Sequence, residues 1–207
     1  MAGRFITLEG GEGVGKSTQL KALAEAIATR GHEVVITREP GGSEGAEAIR
    51  TLLMQGGEEK WSARAEALLF GAGRADHVEK LIRPALKRGD WVLCDRFIDS
   101  SRAYQGGAGG LSDNDVMTLH QISSEGLLPD RTLVLTLPDS EAARRATARD
   151  GANVDRFGAK NAAYHQRVVQ SFERFAKADP ARFRLIDAGG IASDVTTRLI
   201  IAIEDLL

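Results

Sequence analysis

The residues Gly10-Gly11-Glu12-Gly13-Val14-Gly15-Lys16-Ser17 match the pattern G-x-x-x-x-G-K-S, the phosphate-binding loop of nucleoside triphosphatases and kinases. The short apolar run 5–9 precedes this loop and predicts a β-strand, while residues 17–30 follow it with the apolar spacing of a helix. A glycine-rich turn can also simply join a strand to a helix. Because four glycines and both flanking elements are present, the pattern favours phosphate binding.

The composition of the loop indicates how it binds phosphate. Glycines at positions 10, 11, 13 and 15 allow positive φ angles and bring backbone N–H groups close to anionic oxygens. The loop leads into a helix N-terminus, whose unpaired donors and partial positive charge also favour an anion. In this motif the lysine, here Lys16, reaches the β- and γ-phosphates, and the hydroxyl of Ser17 holds Mg²⁺.

The overall composition predicts one globular domain spanning residues 1–207, since 43% hydrophobic and 27% charged residues are ordinary values. The net charge of -2 offers no general attraction to nucleic acid or to an anionic membrane, so we expect neither as a partner. The single cysteine, Cys94, cannot form an intramolecular disulfide, which fits a reducing compartment. A cytoplasmic location is expected, because no signal peptide precedes the first strand and no apolar run reaches membrane-spanning length.

Apolar runs alternate with helical patterns along the whole chain. Besides residues 5–9, the runs 33–37, 91–95, 133–137 and 183–187 predict strands, and the stretches between them contain predicted helices. Alternation of this kind builds a parallel sheet with right-handed crossovers and helices on its faces. We therefore predict an α/β fold of the P-loop NTPase type, with three α/β/α layers and a five-stranded parallel sheet.

Charged residues follow two of these strands at their carboxyl ends, where open α/β sheets place their ligands. Arg38 comes directly after the second strand, and Pro40 then begins a Pro-Gly-Gly turn. The third strand ends with Asp95 and Arg96, which packing does not explain, because a buried charge is costly without a partner. In P-loop proteins an acid at this position is associated with Mg²⁺.

Phe70 and Arg74 are four residues apart on a predicted helix and therefore share a face. An aromatic ring and a guanidinium on one face suit the binding of a planar base, by stacking and hydrogen bonding. The run 68–70 is equally consistent with a hydrophobic core. From the pattern alone, we favour the core.

Residues 144–160 form an arginine-rich stretch that contains Arg144, Arg145, Arg149 and Arg156. Guanidinium groups on a flexible segment between helices predict a mobile lid that closes over a polyphosphate. The alternative is a solvated helix end with surface ion pairs.

Taken together, these segments resemble the bacterial thymidylate kinase family over essentially the full length of the chain. The phosphate-binding loop alone is shared by many kinases, but the combination in this order is specific. The segments that carry the resemblance are residues 9–18, 38–42, 69–74, 95–97, 101–106 and 155–156.

The resemblance implies an ATP-dependent phosphorylation of dTMP to dTDP in dTTP synthesis, with Mg²⁺, by a homodimer. It implies that Phe70 stacks on thymine, that Arg74 donates to a thymine carbonyl, and that Tyr104 excludes a ribose 2′-hydroxyl. The implied ATP-binding residues are Gly10, Gly11, Glu12, Gly13, Val14, Gly15, Lys16, Ser17 and Thr18. The implied substrate-binding residues are Arg38, Pro40, Phe70, Arg74, Arg96, Ser101, Tyr104 and Gln105.

The same resemblance assigns catalytic and metal-binding roles. Arg38 and Arg96 are implied to hold the acceptor phosphate, and Glu12 to arrange the acceptor or its metal. The loop contains no arginine, so the chain resembles members whose lid supplies one, with Arg149 as the candidate. The implied catalytic residues are Lys16, Arg96, Arg149 and Glu12, and the implied metal ligands are Ser17 and Asp95.

Other functions remain open at this point. A different nucleotide or deoxynucleoside kinase would keep the loop, the strand-end acid and the lid but change the base-binding residues. A regulatory GTPase would carry an N-K-x-D motif, which is absent, and the D-x-x-G at residues 187–190 comes after the last predicted strand, where no switch loop is expected. A nucleic-acid-stimulated NTPase is disfavoured by the acidic net charge.

Overall fold

The structure is a computed structural model that describes residues 3–57, 59–150 and 156–207, without the side chains of residues 139, 146, 147, 149 and 150. Its strands are β1 (Phe5–Glu9), β2 (Val34–Arg38), β3 (Trp91–Asp95), β4 (Arg131–Thr136) and β5 (Phe183–Asp187). Its α-helices are α1 (Lys16–Ala28), α2 (Glu44–Met54), α3 (Ala63–His77), α4 (Arg83–Arg88), α5 (Ile98–Ser101), α6 (Asp113–Ser124), α7 (Asp139–Asp150), α8 (Ala162–Ala178) and α9 (Ala192–Ile201). The π-helices Val78–Ile82 and Arg102–Ala108 and the 3₁₀-helix Glu204–Leu206 lie between or after them.

The strands form one five-stranded sheet in the order β2-β3-β1-β4-β5, and every pairing is parallel. The predicted five-stranded parallel sheet is therefore confirmed. β1 lies at its centre with every residue buried, as expected for an apolar strand covered on both faces. The carboxyl ends of β1 and β3 lie side by side, since Leu8 pairs with Asp95. This edge of the sheet brings the phosphate-binding loop next to Asp95 and Arg96.

Hydrophobic clusters cover both faces of the sheet and give the three predicted layers. On one face, α1 and α9 contribute Leu23 and Leu199, both fully buried. On the other face, the π-helix Val78–Ile82 and α6 pack over Phe5. The helix α8 packs on the sheet through an apolar stripe of buried residues, Tyr164, Val168, Phe172 and Phe175.

Two segments of the chain form π-helices. The π-helix Val78–Ile82 ends two residues before Pro84, which lies in the first turn of α4. Proline cannot donate to the helix, and its ring clashes with the preceding turn, so a local widening relieves both problems. The first part of the glycine-rich run 106–110 belongs to the second π-helix, Arg102–Ala108. A side chain at Gly107 would collide with Ser171 of α8, so Gly107 allows the two helices to pack closely.

Among the residues that the structure describes, no helix is both long enough and apolar enough to cross a membrane.

Candidate active site

The phosphate-binding loop has the backbone that its glycines predict. Gly10, Gly13 and Gly15 have φ angles of 128°, 75° and 91°, in the region that side chains disfavour. Helix α1 starts at Lys16, and no side chain caps its N-terminus. Its first N–H groups are therefore directed at the cavity in front of the loop, where they form an anion-binding site.

Lys16 is held over this loop and is 8% exposed. Its Nζ donates to the carbonyl oxygens of Gly10 and Gly11, over 3.2 and 2.7 Å. Burial and the nearby charge of Arg96 lower the pKa of the Lys16 ammonium to about 8. A polyphosphate in the cavity would add negative charge next to this ammonium and favour its protonated form.

Ser17 and Asp95, the two metal ligands that the resemblance implies, line the cavity in front of the loop. The Ser17 hydroxyl donates to Oδ2 of Asp95 over 3.2 Å. The other carboxylate oxygen, Oδ1, is buried, and no described residue donates a hydrogen bond to it. A hydroxyl and a carboxylate are hard oxygen ligands, and Mg²⁺ is commonly held by one or two such groups plus substrate phosphates. The donor set therefore fits Mg²⁺.

Arg96 joins the loop to the neighbouring pocket. Its Nη2 pairs with Oε1 of Glu12 over 2.6 Å, and its Nη1 donates to the Gly10 carbonyl over 3.0 Å and to Ser100 over 3.2 Å. The guanidinium also lies 5.1 Å from the centre of the Tyr104 ring. Arg96 has a left-handed backbone with φ of 68°, which is unusual for a residue with a side chain. The charge is thus fixed beside the phosphate loop.

Glu9 lies beneath these groups and is fully buried. The Ser100 hydroxyl donates to its Oε2 over 2.6 Å, and the backbone N–H of Phe97 donates to its Oε1 over 2.8 Å. Burial and the nearby carboxylate of Asp99 raise the pKa of Glu9 to about 7. An acid at the end of an apolar strand is only a weak indication of a functional residue, so the sequence pattern alone did not mark Glu9.

A second cavity borders the first and gathers the predicted substrate residues, apart from Arg38. The two cavities share the side chains of Glu12, Glu39, Arg50 and Arg96. The nucleoside pocket, as we call this second cavity, is lined by Glu12, Glu39, Pro40, Arg50, Met54, Phe70, Arg74, Arg96, Phe97, Ser100, Ser101, Tyr104, Gln105 and Phe157. Arg38 lines the phosphate-loop cavity instead and pairs with Glu47 over 3.0 Å.

Arg74 is buried in the wall of the nucleoside pocket and is tightly held. Its Nε donates to Oε2 of Glu39 over 2.9 Å, and its Nη2 donates to the Ser101 hydroxyl over 2.9 Å. His77 contacts the other oxygen of Glu39 over 3.2 Å and the Thr37 hydroxyl over 2.7 Å. Burial acts to raise the pKa of Glu39, but the charge of Arg74 and the contact with His77 bring it below its ordinary value. Glu39 is therefore the counter-charge of Arg74.

Aromatic side chains complete the nucleoside pocket. Phe70 is only partly buried, and its ring centre lies 5.8 Å from that of Phe157. The pattern alone favoured a core position for Phe70. In the structure it packs against a hydrophobic cluster and also lines the pocket. The hydroxyl of Tyr104 is buried without a hydrogen-bond partner among the described residues, and burial raises its pKa to about 12.

The family model of thymidylate kinase matches residues 8–198. The chain belongs to the thymidylate kinase family. It is 61% identical to the thymidylate kinase of Rhizorhabdus wittichii over 207 residues, which cover all of both chains. It is 49% identical to the thymidylate kinase of a Bradyrhizobium species over 187 residues, which cover 90% of this chain and 83% of the relative.

The fold is that of a solved member of the same family. The crystal structure of thymidylate kinase from Ehrlichia chaffeensis superposes with a TM-score of 0.79 at 30% identity, and the match covers all of both chains. These relatives are bacterial kinases. They support neither a regulatory GTPase nor a kinase for a different nucleotide.

The arginines of the expected lid lie in different surroundings. Arg145 pairs with Glu141 over 2.6 Å. An ion pair of this kind is what a solvated helix end, the alternative to a lid, would contain. Arg144 is exposed, whereas Arg156 is buried and pairs with Glu66. Arg149 belongs to α7, but its side chain lies outside the described residues, as do residues 151–155. Arg156 therefore anchors the C-terminal end of the expected lid to the body of the protein.

Several residues of the site escaped the sequence-based reasoning. Arg50 lines both cavities, and its Nη1 donates to the Pro40 carbonyl over 2.7 Å. Phe157 packs edge to face on Phe70 and also lines the nucleoside pocket, and Glu66 pairs with the neighbouring Arg156. Arg50 and Glu66 occupy ordinary positions in predicted helices, so no local pattern marks them.

Proposed function

We propose that the chain transfers the γ-phosphoryl group of ATP to the 5′-phosphate of dTMP and forms dTDP. Membership of the thymidylate kinase family supports this reaction. The observation that carries the proposal is the shared wall of the two cavities. Glu12, Glu39, Arg50 and Arg96 border both of them, so a nucleotide in each would bring its phosphates to the same charged wall.

The donor nucleotide binds through the phosphate loop. Backbone N–H groups at the start of α1 and the ammonium of Lys16 hold its phosphate oxygens. Ser17 and Asp95 are the residues that would hold Mg²⁺. When bound, this ion neutralises charge on the phosphates that react.

The acceptor phosphate lies against guanidinium groups. Arg96 and Arg50 reach it from the shared wall, and Arg38 lines the phosphate-loop cavity beside them. The acceptor is largely dianionic at neutral pH, since its second pKa is about 6, so the reaction needs no general base. Glu12 holds the guanidinium of Arg96 in place over 2.6 Å. The chain therefore accelerates transfer by positioning two anions and stabilising the charge between them.

The base of dTMP binds in the nucleoside pocket. Phe70 offers a ring for stacking, and Nη1 of Arg74 is the guanidinium group left for a thymine carbonyl, because its Nε and Nη2 are engaged. Tyr104 and Ser101 line the same pocket near the sugar and the base. The ring of Tyr104 would exclude a ribose 2′-hydroxyl.

A lid arginine completes the site in this proposal. Arg149 is our candidate, as the resemblance to the family implies, and carboxylates already engage Arg145 and Arg156. An arginine placed on the transferred group in phosphoryl transfer typically contributes about 10³-fold or more to turnover. A loss of turnover on that scale in an Arg149→Ala variant, with unchanged KM for dTMP, supports the assignment. Wild-type turnover in this variant contradicts it.

A coupled assay with ATP and Mg²⁺ tests the proposed reaction. We expect the highest kcat/KM with dTMP, and lower values with dUMP, dCMP, dGMP and AMP. Lys16→Ala removes the ammonium from the loop, whereas Lys21→Ala changes an exposed lysine of the same helix and serves as the matched control. Purified protein that consumes no ATP in the presence of dTMP refutes the proposal.

We also propose a cytoplasmic homodimer, which the resemblance to the family implies. Leu68 on α3 and Ile122 on α6 are 57% and 77% exposed, and these two helices pack together. Exposed apolar residues on neighbouring helices fit an interface between copies. Analytical ultracentrifugation should give a dimer that Leu68→Lys with Ile122→Lys dissociates, while the control Ile201→Lys on α9 does not. A monomeric wild-type protein would contradict the proposal.

A further inference from the structure

The side-chain amide of Gln105 is held in one orientation in the wall of the nucleoside pocket. Its Nε2 donates to Oε1 of Glu66 over 2.9 Å, and Gln105 is only 2% exposed. A carboxylate accepts hydrogen bonds but cannot donate them, so the NH₂ end of the amide must face Glu66. The carbonyl oxygen Oε1 remains at the other end of the amide, and no described residue donates to it.

Glu66 is itself held by a second partner. Arg156 pairs with Oε2 of Glu66, and its Nε donates to the Leu53 carbonyl over 3.1 Å. The side chains of Arg156 and Glu66 are 1% and 12% exposed. Both Arg156 and the NH₂ group of Gln105 only donate, so each needs an acceptor. Glu66 supplies one carboxylate oxygen to each of them and cannot rotate away from either.

Arg74 presents the opposite polarity to the same pocket. Its Nε and Nη2 are engaged by Glu39 and Ser101, so Nη1 keeps its N–H donors for a ligand. The pocket therefore offers a donor from Arg74 and an acceptor from Gln105. Thymine has a carbonyl next to a ring N–H and matches both groups. Cytosine has an amino group and an unprotonated ring nitrogen at these positions and matches neither.

We propose that Glu66 is a positioning residue that sets the base specificity of the nucleoside pocket. By binding the NH₂ group of Gln105, it turns the acceptor end of that amide toward the base and favours dTMP over dCMP. Glu66 is not among the residues that line the pocket, so it acts through Gln105. This inference rests on the proposed function, since it concerns the base of the same acceptor nucleotide.

The variant Glu66→Gln reverses the polarity with almost no change in shape. Arg156 takes the carbonyl oxygen of the new amide, whose NH₂ group then faces Gln105. The amide of Gln105 must turn over to accept this hydrogen bond, so its own NH₂ group faces the base. We expect kcat/KM for dTMP to fall by about tenfold or more, mainly through KM, while that for dCMP holds or rises. The KM for ATP should not change.

Two further variants provide the control and the rescue. Asp113→Asn makes the same acid-to-amide change at an exposed partner of Arg102 and should leave the dTMP-to-dCMP ratio of kcat/KM unchanged. The double variant Glu66→Gln/Gln105→Glu exchanges acid and amide, returns an acceptor to the pocket and should restore the preference for dTMP. Thermal unfolding of each variant shows that it is folded.

Two results overturn the proposal. The first is a folded Glu66→Gln variant that loses activity on dTMP and dCMP in equal proportion, as a merely structural role requires. The second is a Gln105→Met variant that keeps the wild-type ratio of kcat/KM for dTMP to kcat/KM for dCMP. This second result refutes the proposal even if Glu66→Gln does not fold. A wild-type protein without activity on dTMP refutes the proposed function instead, so the two failures are distinct.

Discussion

The charge state of Lys16 gives a measurable pH dependence of ATP binding. In the free protein its pKa is about 8, lowered by burial and by Arg96. Bound polyphosphate favours the ammonium and raises this pKa again, so binding above pH 8 requires uptake of a proton. Affinity should therefore be nearly constant below the pKa of the free protein and should fall as pH rises above it.

The size of the effect follows from this pKa. About nine tenths of the free protein carries the ammonium at pH 7, and about one tenth carries it at pH 9. The apparent Kd for ATP should then rise about tenfold between these values, which is about 1.4 kcal/mol. The guanidinium of Arg96 stays charged throughout this range. Glu9, with a pKa of about 7, also loses its proton here, and a Lys16→Arg variant shares that change.

Isothermal titration calorimetry across this pH range measures the change. Lys16→Arg is the matched control, because its guanidinium stays protonated and ATP itself ionises identically in both experiments. Binding of dTMP is a second control, since Arg74 and Arg96 keep their charges. A Kd for ATP that stays constant from pH 7 to pH 9, or that rises equally in Lys16→Arg, refutes the reasoning.

Three further predictions concern neighbouring residues. Arg96→Ala should lower kcat by about 10²-fold or more without unfolding the chain, since it removes charge from the shared wall; near-wild-type turnover would remove Arg96 from the mechanism. Asp95→Asn should raise the Mg²⁺ concentration for half-maximal activity by about tenfold, measured by titration with MgCl₂, and an unchanged value would show that Asp95 does not hold the metal. The raised pKa of Glu9 stabilises the fold below pH 4.5, and this contribution is lost as pH rises through about 7. The free energy of unfolding in urea should therefore rise by about 3 kcal/mol in Glu9→Gln relative to the wild type as pH goes from 4.5 to 7. A difference that stays constant over this range would contradict the assignment.

The fold followed from local patterns because its strands are short apolar runs bounded by polar or glycine residues. Three strands have the predicted bounds, and the ends of β2 and β4 differ by one or two residues; β2, for example, was expected at 33–37 and lies at Val34–Arg38. The phosphate loop was equally clear, since its function depends on consecutive residues. The register and order of the sheet depend on contacts between distant segments, and only the structure gives them.

Residues of the candidate site were predictable where their immediate sequence neighbours form a recognisable motif. Phe70 was ambiguous, because a helical spacing of apolar residues looks the same for a core and for a pocket wall. Glu39 and Arg74 are 35 residues apart, and no local rule pairs them. Arg156 was expected on a mobile lid, but its partner Glu66, 90 residues away, buries it. Long-range ion pairs are therefore what sequence patterns missed here.

At Arg96, the left-handed backbone lowers the stability of the fold, whereas the side-chain charge is proposed to serve turnover. A side chain in this conformation costs about 1–2 kcal/mol, which a glycine would avoid. Arg96→Gly should consequently unfold at a higher temperature than Arg96→Ala, although neither can neutralise the phosphates. Selection for heat resistance alone would favour glycine at this position, so we expect the arginine to be retained for the proposed role of its charge in turnover.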